Sequence, residues 1–201
     1  MSTNKIIYNS IDQLLSLPKI KPYKQKYCDH WFSAYINDLA QAKEIFVRLH
    51  FLEVFLRNKI NTEFKHIFGN WLSADDKTIL RINEYNKILK VLSLLNKSKK
   101  NINSHDIISN LSFGFWTNLF HQSYNYRIWQ QNDMTKNVFP FLKNFERDIK
   151  KIHNDMKKIR ILRNRIFHFE NLYKTNLSNA LNEINFYIYG ISGLHLQEFL
   201  N

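Results

Sequence analysis

Cysteine is almost absent: Cys28 stands alone among 201 residues. That excludes an intramolecular disulfide framework and a cysteine-rich zinc site, and it fits a reducing compartment. Glycine occurs four times and proline three times, too seldom for the many tight turns of a sandwich or barrel, which leaves helices as the favoured element. Long apolar runs are also missing. The most apolar stretch, "IFVRLHFLEVFL", is broken by Arg48, His50 and Glu53 well before the ~20 residues that span a bilayer. The opening "MSTNKIIYNS" lacks the apolar core of a signal peptide, so a cytoplasmic protein without a membrane partner is expected.

Acidic residues are the minority charge. Seventeen Asp and Glu face 29 Lys and Arg, a net charge of +12, which argues for an anionic partner, with nucleic acid as the leading candidate. The cations are dispersed along the chain, so an anion-binding surface has to be assembled by folding. With 44% hydrophobic residues the chain can bury a substantial single-domain core.

Apolar periodicity predicts an all-α protein. "SIDQLLSL" reads as a short helix capped by Ser10 and Gln13 and stopped by Pro18, with Pro22 making the connection extended. Residues 1–28 are therefore expected to be a peripheral N-terminal segment of one all-helical domain, 1–201. From about Asp29 to Phe68, Trp31, Tyr35 and Leu39, then Phe46, Leu49, Leu52, Phe55 and Leu56, recur at helical spacing. Two helices are expected there, with Gly69 as the stop. Another is expected from Asp75 to Asn96, burying Ile79, Ile82, Ile88, Val91, Leu92 and Leu95. "NKSKKNINS" reads as a loop, and "SHDIISNLSFGFWTNLF" as one central helix opened by Ser104 with Asp106 in its first turn. Gly114 within it suggests close approach by another helix.

The longest helix is expected from Pro140 to His168. At ~100° per residue, Ile152, Ile159, Leu162, Ile166 and Phe169 gather on one side, and His153, Lys157, Arg160, Asn164 and His168 on the other. Arg163 projects between them, about 140° from His168, on a side chain long enough to swing toward the polar stripe. Arg165 reads as an ordinary surface charge. A polar stripe is what a water-facing side predicts for Lys157 and Arg160, but Asn164, one turn before His168, is a mediocre interior helix former and can meet it.

"RNRIFH" has the Arg, polar residue, variable residues, His pattern of the HEPN superfamily, and "LRNRIFHFE" resembles the version in Abi-like, or abortive-infection, proteins. "LHFLEVFLRNKI", "NWL", "LSFGFWTNLF" and "IW" followed by "FP" occur in the order expected of that family, extending the resemblance over roughly residues 30–175. Phe169 departs from it, standing where many relatives carry a second His.

The resemblance implies a HEPN-like helical bundle with additional N-terminal helices. It implies dimerisation about the motif helix, so that two motifs share a cleft, and a metal-independent endoribonuclease acting as a toxin or antiviral effector, held in check by an antitoxin or a regulatory RNA or protein. Arg163 and His168 are the implied catalytic residues, with Asn164, Arg160 and Lys157 supporting or contacting RNA. His168 can act as acid or base near neutrality, and Arg163 presents a permanently charged fork to phosphate.

No cofactor or metal is expected. The eight histidines form no HxxxH or HExxH pair, and no P-loop or nucleophile elbow is present. A second "RN", Arg57 and Asn58, lacks a His at the right spacing; Glu53 and Arg57 read as a helix pair, with approach of Arg57 to the cleft as the alternative. The competing functional expectation is a catalytically weak module that binds RNA or a protein partner. A purely structural adaptor leaves the charge unexplained.

Overall fold

A computed structural model describes residues 11, 14–72, 79–98 and 101–200. They form an all-helical protein, with no strand among the described residues. The helices are α1 (Leu17–Tyr27), α2 (Trp31–Phe68), α3 (Ile82–Ser98), α4 (Ser104–Asn110), α5 (Phe113–Asn118), α6 (Met134–Val138), α7 (Ile149–Phe167) and α8 (Leu177–Ser192), joined by short 3₁₀ and π turns.

The two helices expected across residues 29–68 are one helix of 38 residues, about 57 Å long. Nothing between Trp31 and Phe68 can stop it, since that stretch holds neither Gly nor Pro. The change in apolar phase that suggested a break reflects two partners on one continuous helix. Ala42, Ile45, Leu49, Leu52, Leu56, Ile60 and Phe64 recur every three or four residues and enter the main core. Trp31 and Tyr35 instead join a smaller cluster with Ile20 and Tyr23 of α1. Gly69 ends α2 as expected, with φ +67 and its N–H donated to the Lys65 carbonyl.

The expected cap residues Ser10 and Gln13 lie outside the described residues. Pro18, expected as a stop, occupies the first turn of α1, where a missing N–H costs nothing; Pro22, expected in an extended connection, lies inside that helix. Burial of Ile20 and Tyr23 against α2 overrides the local penalty.

The helix expected from Asp75 begins only at Ile82, whose side chain is 65% exposed. Residues 73–78 lie outside the described residues. Ile79 is buried as expected, but ahead of the helix. The single central helix is two, because Leu111 takes an extended conformation, ψ 129°, between α4 and α5. Asn103, one residue earlier than expected, caps α4: its side chain accepts from Asp106 N–H while the Asp106 carboxylate accepts from Asn103 N–H. This region is central nonetheless. Phe113, Phe115, Trp116, Phe120 and Trp129 are buried, each contributing about 1.5–3 kcal/mol by burial.

The expected helix from Pro140 starts at Ile149, because Asp148 caps it by accepting the N–H groups of Lys150 and Lys151. At 19 residues it is only half as long as α2. Its inner face carries Ile152, Met156, Ile159 and Leu162. Asp155 is also buried, held by Tyr187, Lys151 and Lys158 at 2.8, 2.9 and 3.3 Å. Helix α8 makes its widest contact with α2, where buried Arg48 donates to Asn185 across the seam. No helix among the described residues is long and apolar enough to cross a membrane.

Candidate functional site

The motif occupies the last turn and C-terminal end of α7. Its termination follows from three backbone bonds: His168 N–H to Asn164 O, Phe169 N–H to Ile166 O, and Glu170 N–H to Arg165 O. The latter two form a Schellman end, which requires a left-handed residue just past the cap, a position where Gly is the usual occupant. Here it is Phe169, with φ +53. The aromatic expected on the inner face is therefore turned outward and is 74% exposed, because the helix has ended before its phase can place it in the core.

His168 lies exposed at the cap, and Asn164 is exposed one turn earlier. Arg163 faces a different element. Its guanidinium carbon lies 3.9 Å from the centroid of Phe167, and its Nε lies 3.7 Å from Glu53 Oε2 of α2. That separation is an ion pair without a hydrogen bond, and the buried Nε has no hydrogen-bond partner. Phe167 packs on Phe46 of α2, ring centroids 5.0 Å apart. The expected helical pair of Glu53 with Arg57 gives way to this interhelical arrangement. Arg57 Nε is likewise buried without a partner, one turn beyond Glu53. At the α2–α7 seam the Arg163 guanidinium thus faces one carboxylate, Glu53, through charge alone.

The rest of the polar stripe divides. Lys157 is exposed. Arg160 turns inward, donating from Nη1 to Asn118 Oδ1 at 2.8 Å. It lies over Gly114, where an added Cβ would meet its side chain at 3.5 Å. The close approach inferred at Gly114 is made by this side chain. Asn118 continues to Glu84 at 3.4 Å, and Glu84 accepts from Tyr124 at 2.6 Å and Lys87 at 3.2 Å. Burial pushes the Glu84 carboxyl up, but these donors together hold it below the usual range. Arg160 therefore braces α7 against α5.

His153 packs edge-on against His121, ring centroids 5.4 Å apart. Burial first, then the charges of His121, Lys157 and Arg160, holds His153 below its ordinary value. The pair borders a cleft of about 490 Å³ with Arg147 and Lys150 on its walls.

Arg165, expected as a plain surface charge, ties down the segment that follows the motif. It donates to Thr175 Oγ1 at 2.6 Å and to the Asn171 carbonyl, and it faces Glu170 at 3.8 Å. Glu53, Phe46 and Phe167 escaped the sequence reading as site residues. Their signal is cross-helical: Phe46 and Glu53 stand seven positions apart on α2, and Phe167 and Arg163 four apart on α7, but no linear pattern pairs the helices.

Among the described residues no group of three or more His, Cys, Asp or Glu is placed to hold a metal ion. No family model, curated protein or solved structure matches this chain.

Proposed function

We propose that this protein is a HEPN-type, metal-independent endoribonuclease of the Abi-like kind, working as a toxin or antiviral effector on RNA. The observation that carries the reading is the solvent-facing His168 at the end of α7 with the Arg163 cation one turn and a half upstream, on a chain of net charge +12. RNA supplies its own nucleophile. A neutral imidazole takes the 2′-hydroxyl proton, the 2′-oxygen attacks phosphorus, and the bond to the 5′-oxygen breaks as an imidazolium donates to it. The products are a 2′,3′-cyclic phosphate and a 5′-hydroxyl. Arg163 stabilises the charge on the phosphate, Asn164 orients His168 or phosphate, and Lys157 draws in the backbone. Arg160 acts by holding α7.

One His168 per chain cannot be acid and base in the same step, so the cleft belongs to two copies. Ile161 remains half exposed on α7 itself, an apolar side chain that a second copy would cover. The alternative, a module that binds RNA or a protein without cutting, draws support from Arg163 being directed at Glu53 instead of His168.

The deciding experiment incubates the protein with a mixed RNA pool in excess EDTA and maps the ends. Expected are cyclic-phosphate and 5′-hydroxyl termini, no cut at a 2′-deoxy nucleotide, and heterodimers with His168→Ala subunits far below half activity. Products with 5′-phosphates that vanish with EDTA overturn the mechanism. RNA binding without cutting establishes the alternative.

A further inference from the structure

Beside the motif lies a cavity of about 440 Å³, walled by α1, by α2 and by the segment that leaves α7. Its surface is mainly apolar and aromatic: Tyr35 and Leu39 on one side, Ile166, Phe167 and Phe169 on the other. Two lysines, Lys19 and Lys43, and two carboxylates, Asp38 and Glu170, complete its lining, Asp38 half-buried and Glu170 exposed. Phe169 is the informative member. A left-handed bulky residue is held against an intrinsic preference of order 1 kcal/mol, where Gly would sit without strain. The ring gains little from burial in return, being 74% exposed. Lys19 Nζ lies 5.9 Å from its centroid. A strained, water-exposed aromatic at the mouth of an aromatic cavity, next to His168 in sequence, is suited to stacking on a flat ligand.

We propose that this cavity takes a guanine base of the RNA strand whose phosphate is held at Arg163 and His168. The inference rests on the ribonuclease reading for the strand's path, but the pocket itself is defined by its own residues. Phe169 supplies the stacking face, and Lys19 and Lys43 meet the flanking phosphates. Asp38 supplies the selection. Its Oδ2 accepts from Tyr23 hydroxyl at 2.6 Å, leaving acceptor capacity on the other oxygen for adjacent donors. Guanine presents two, N1–H and the 2-amino group; uracil presents one N–H between two carbonyl oxygens that a carboxylate repels. The cavity volume accommodates a purine.

The test titrates wild-type protein with guanosine 5′-monophosphate and with uridine 5′-monophosphate, followed by amide chemical shifts. Neither ligand contains a phosphodiester, so cleavage does not enter. Expected is at least fivefold tighter binding of the guanine nucleotide, with shifts at residues 166–172. Asp38→Asn should remove the preference. Phe169→Gly should weaken guanine binding about tenfold or more while raising the melting temperature, and Phe169→Tyr should restore binding. Equal affinities, an unchanged preference in Asp38→Asn, or guanine shifts confined to another surface overturn the proposal. So does loss of the cavity's shifts on dimer formation, which would make a second copy the occupant. Cut-site mapping keeps the two readings apart. Cutting with no guanine preference retains the nuclease and rejects the pocket, whereas selective guanine binding by a protein that cuts no RNA retains the pocket and rejects the nuclease.

Discussion

Glu53 Oε2 of α2 lies 3.7 Å from Arg163 Nε of α7, with the two side chains 23% and 27% exposed. The carboxylate competes with any phosphate for the same guanidinium. Replacing it with glutamine keeps the shape and removes the competitor. Glu53→Gln is expected to tighten RNA binding roughly two- to fivefold at low salt, the scale of a partly exposed pair, with the gain fading as salt rises. Filter binding across a salt series checks it; weaker binding would mean that Glu53 serves chiefly to position Arg163.

His168→Ala and Arg163→Ala separate chemistry from architecture. His168 is exposed beyond the last turn of α7, so its loss should change stability by no more than about 0.5 kcal/mol. Cleavage should fall at least ~100-fold, the scale of one general acid or base. Arg163→Ala also removes the contact with Phe167 and should cost about 1 kcal/mol along with cleavage. Urea denaturation and initial cleavage rates on the same preparations are the readouts.

Two glycines respond oppositely to alanine. At Gly114 the new Cβ meets Arg160 at an ordinary 3.5 Å, so Gly114→Ala should be neutral or stabilise by up to about 1 kcal/mol through helix propensity. At Gly190 the Cβ would come within 2.7 Å of Leu142, itself buried, so Gly190→Ala should destabilise by about 1–3 kcal/mol. Thermal denaturation of both variants orders them.

His153 gives stability a slope in mild acid. Burial, followed by His121, Lys157 and Arg160, lowers its folded value, so on acidification the unfolded chain takes up the proton first. The contribution is complete above the ordinary histidine value of about 6.5 and is lost as pH falls from there through the lowered folded value. Wild type should lose stability between pH 7 and 5, and His153→Gln should lose less over the same interval. Parallel urea midpoints for the two proteins would show that His153 titrates alike folded and unfolded.

The all-helical class was legible from scarce Gly and Pro and from apolar periodicity, and Gly69 marked the end of α2 correctly. Boundaries were harder wherever tertiary contacts outweighed local signals. Pro22 sits in α1 because Ile20 and Tyr23 dock on α2. Leu111 breaks a stretch without Gly or Pro at the break itself. Within the candidate site, helical arithmetic placed Arg163 between the two faces of α7, but the partner it turns to, Glu53, comes from 110 positions earlier in the chain. Phe169 misled because periodicity assumes that a helix continues, whereas the left-handed cap had already redirected the side chain.

The continuity of α2 fixes a phase relation between parts of the molecule that would otherwise drift. Phe46 meets Phe167 and Glu53 meets Arg163 from the same rod, two turns apart. One residue inserted between Phe46 and Glu53 would rotate one contact by about 100° against the other, and no side-chain change could recover both. Deleting a residue would do the same in the opposite sense. Solvent-facing letters in that interval are free to vary, but its length is not, so divergence here should proceed by replacement and never by indels.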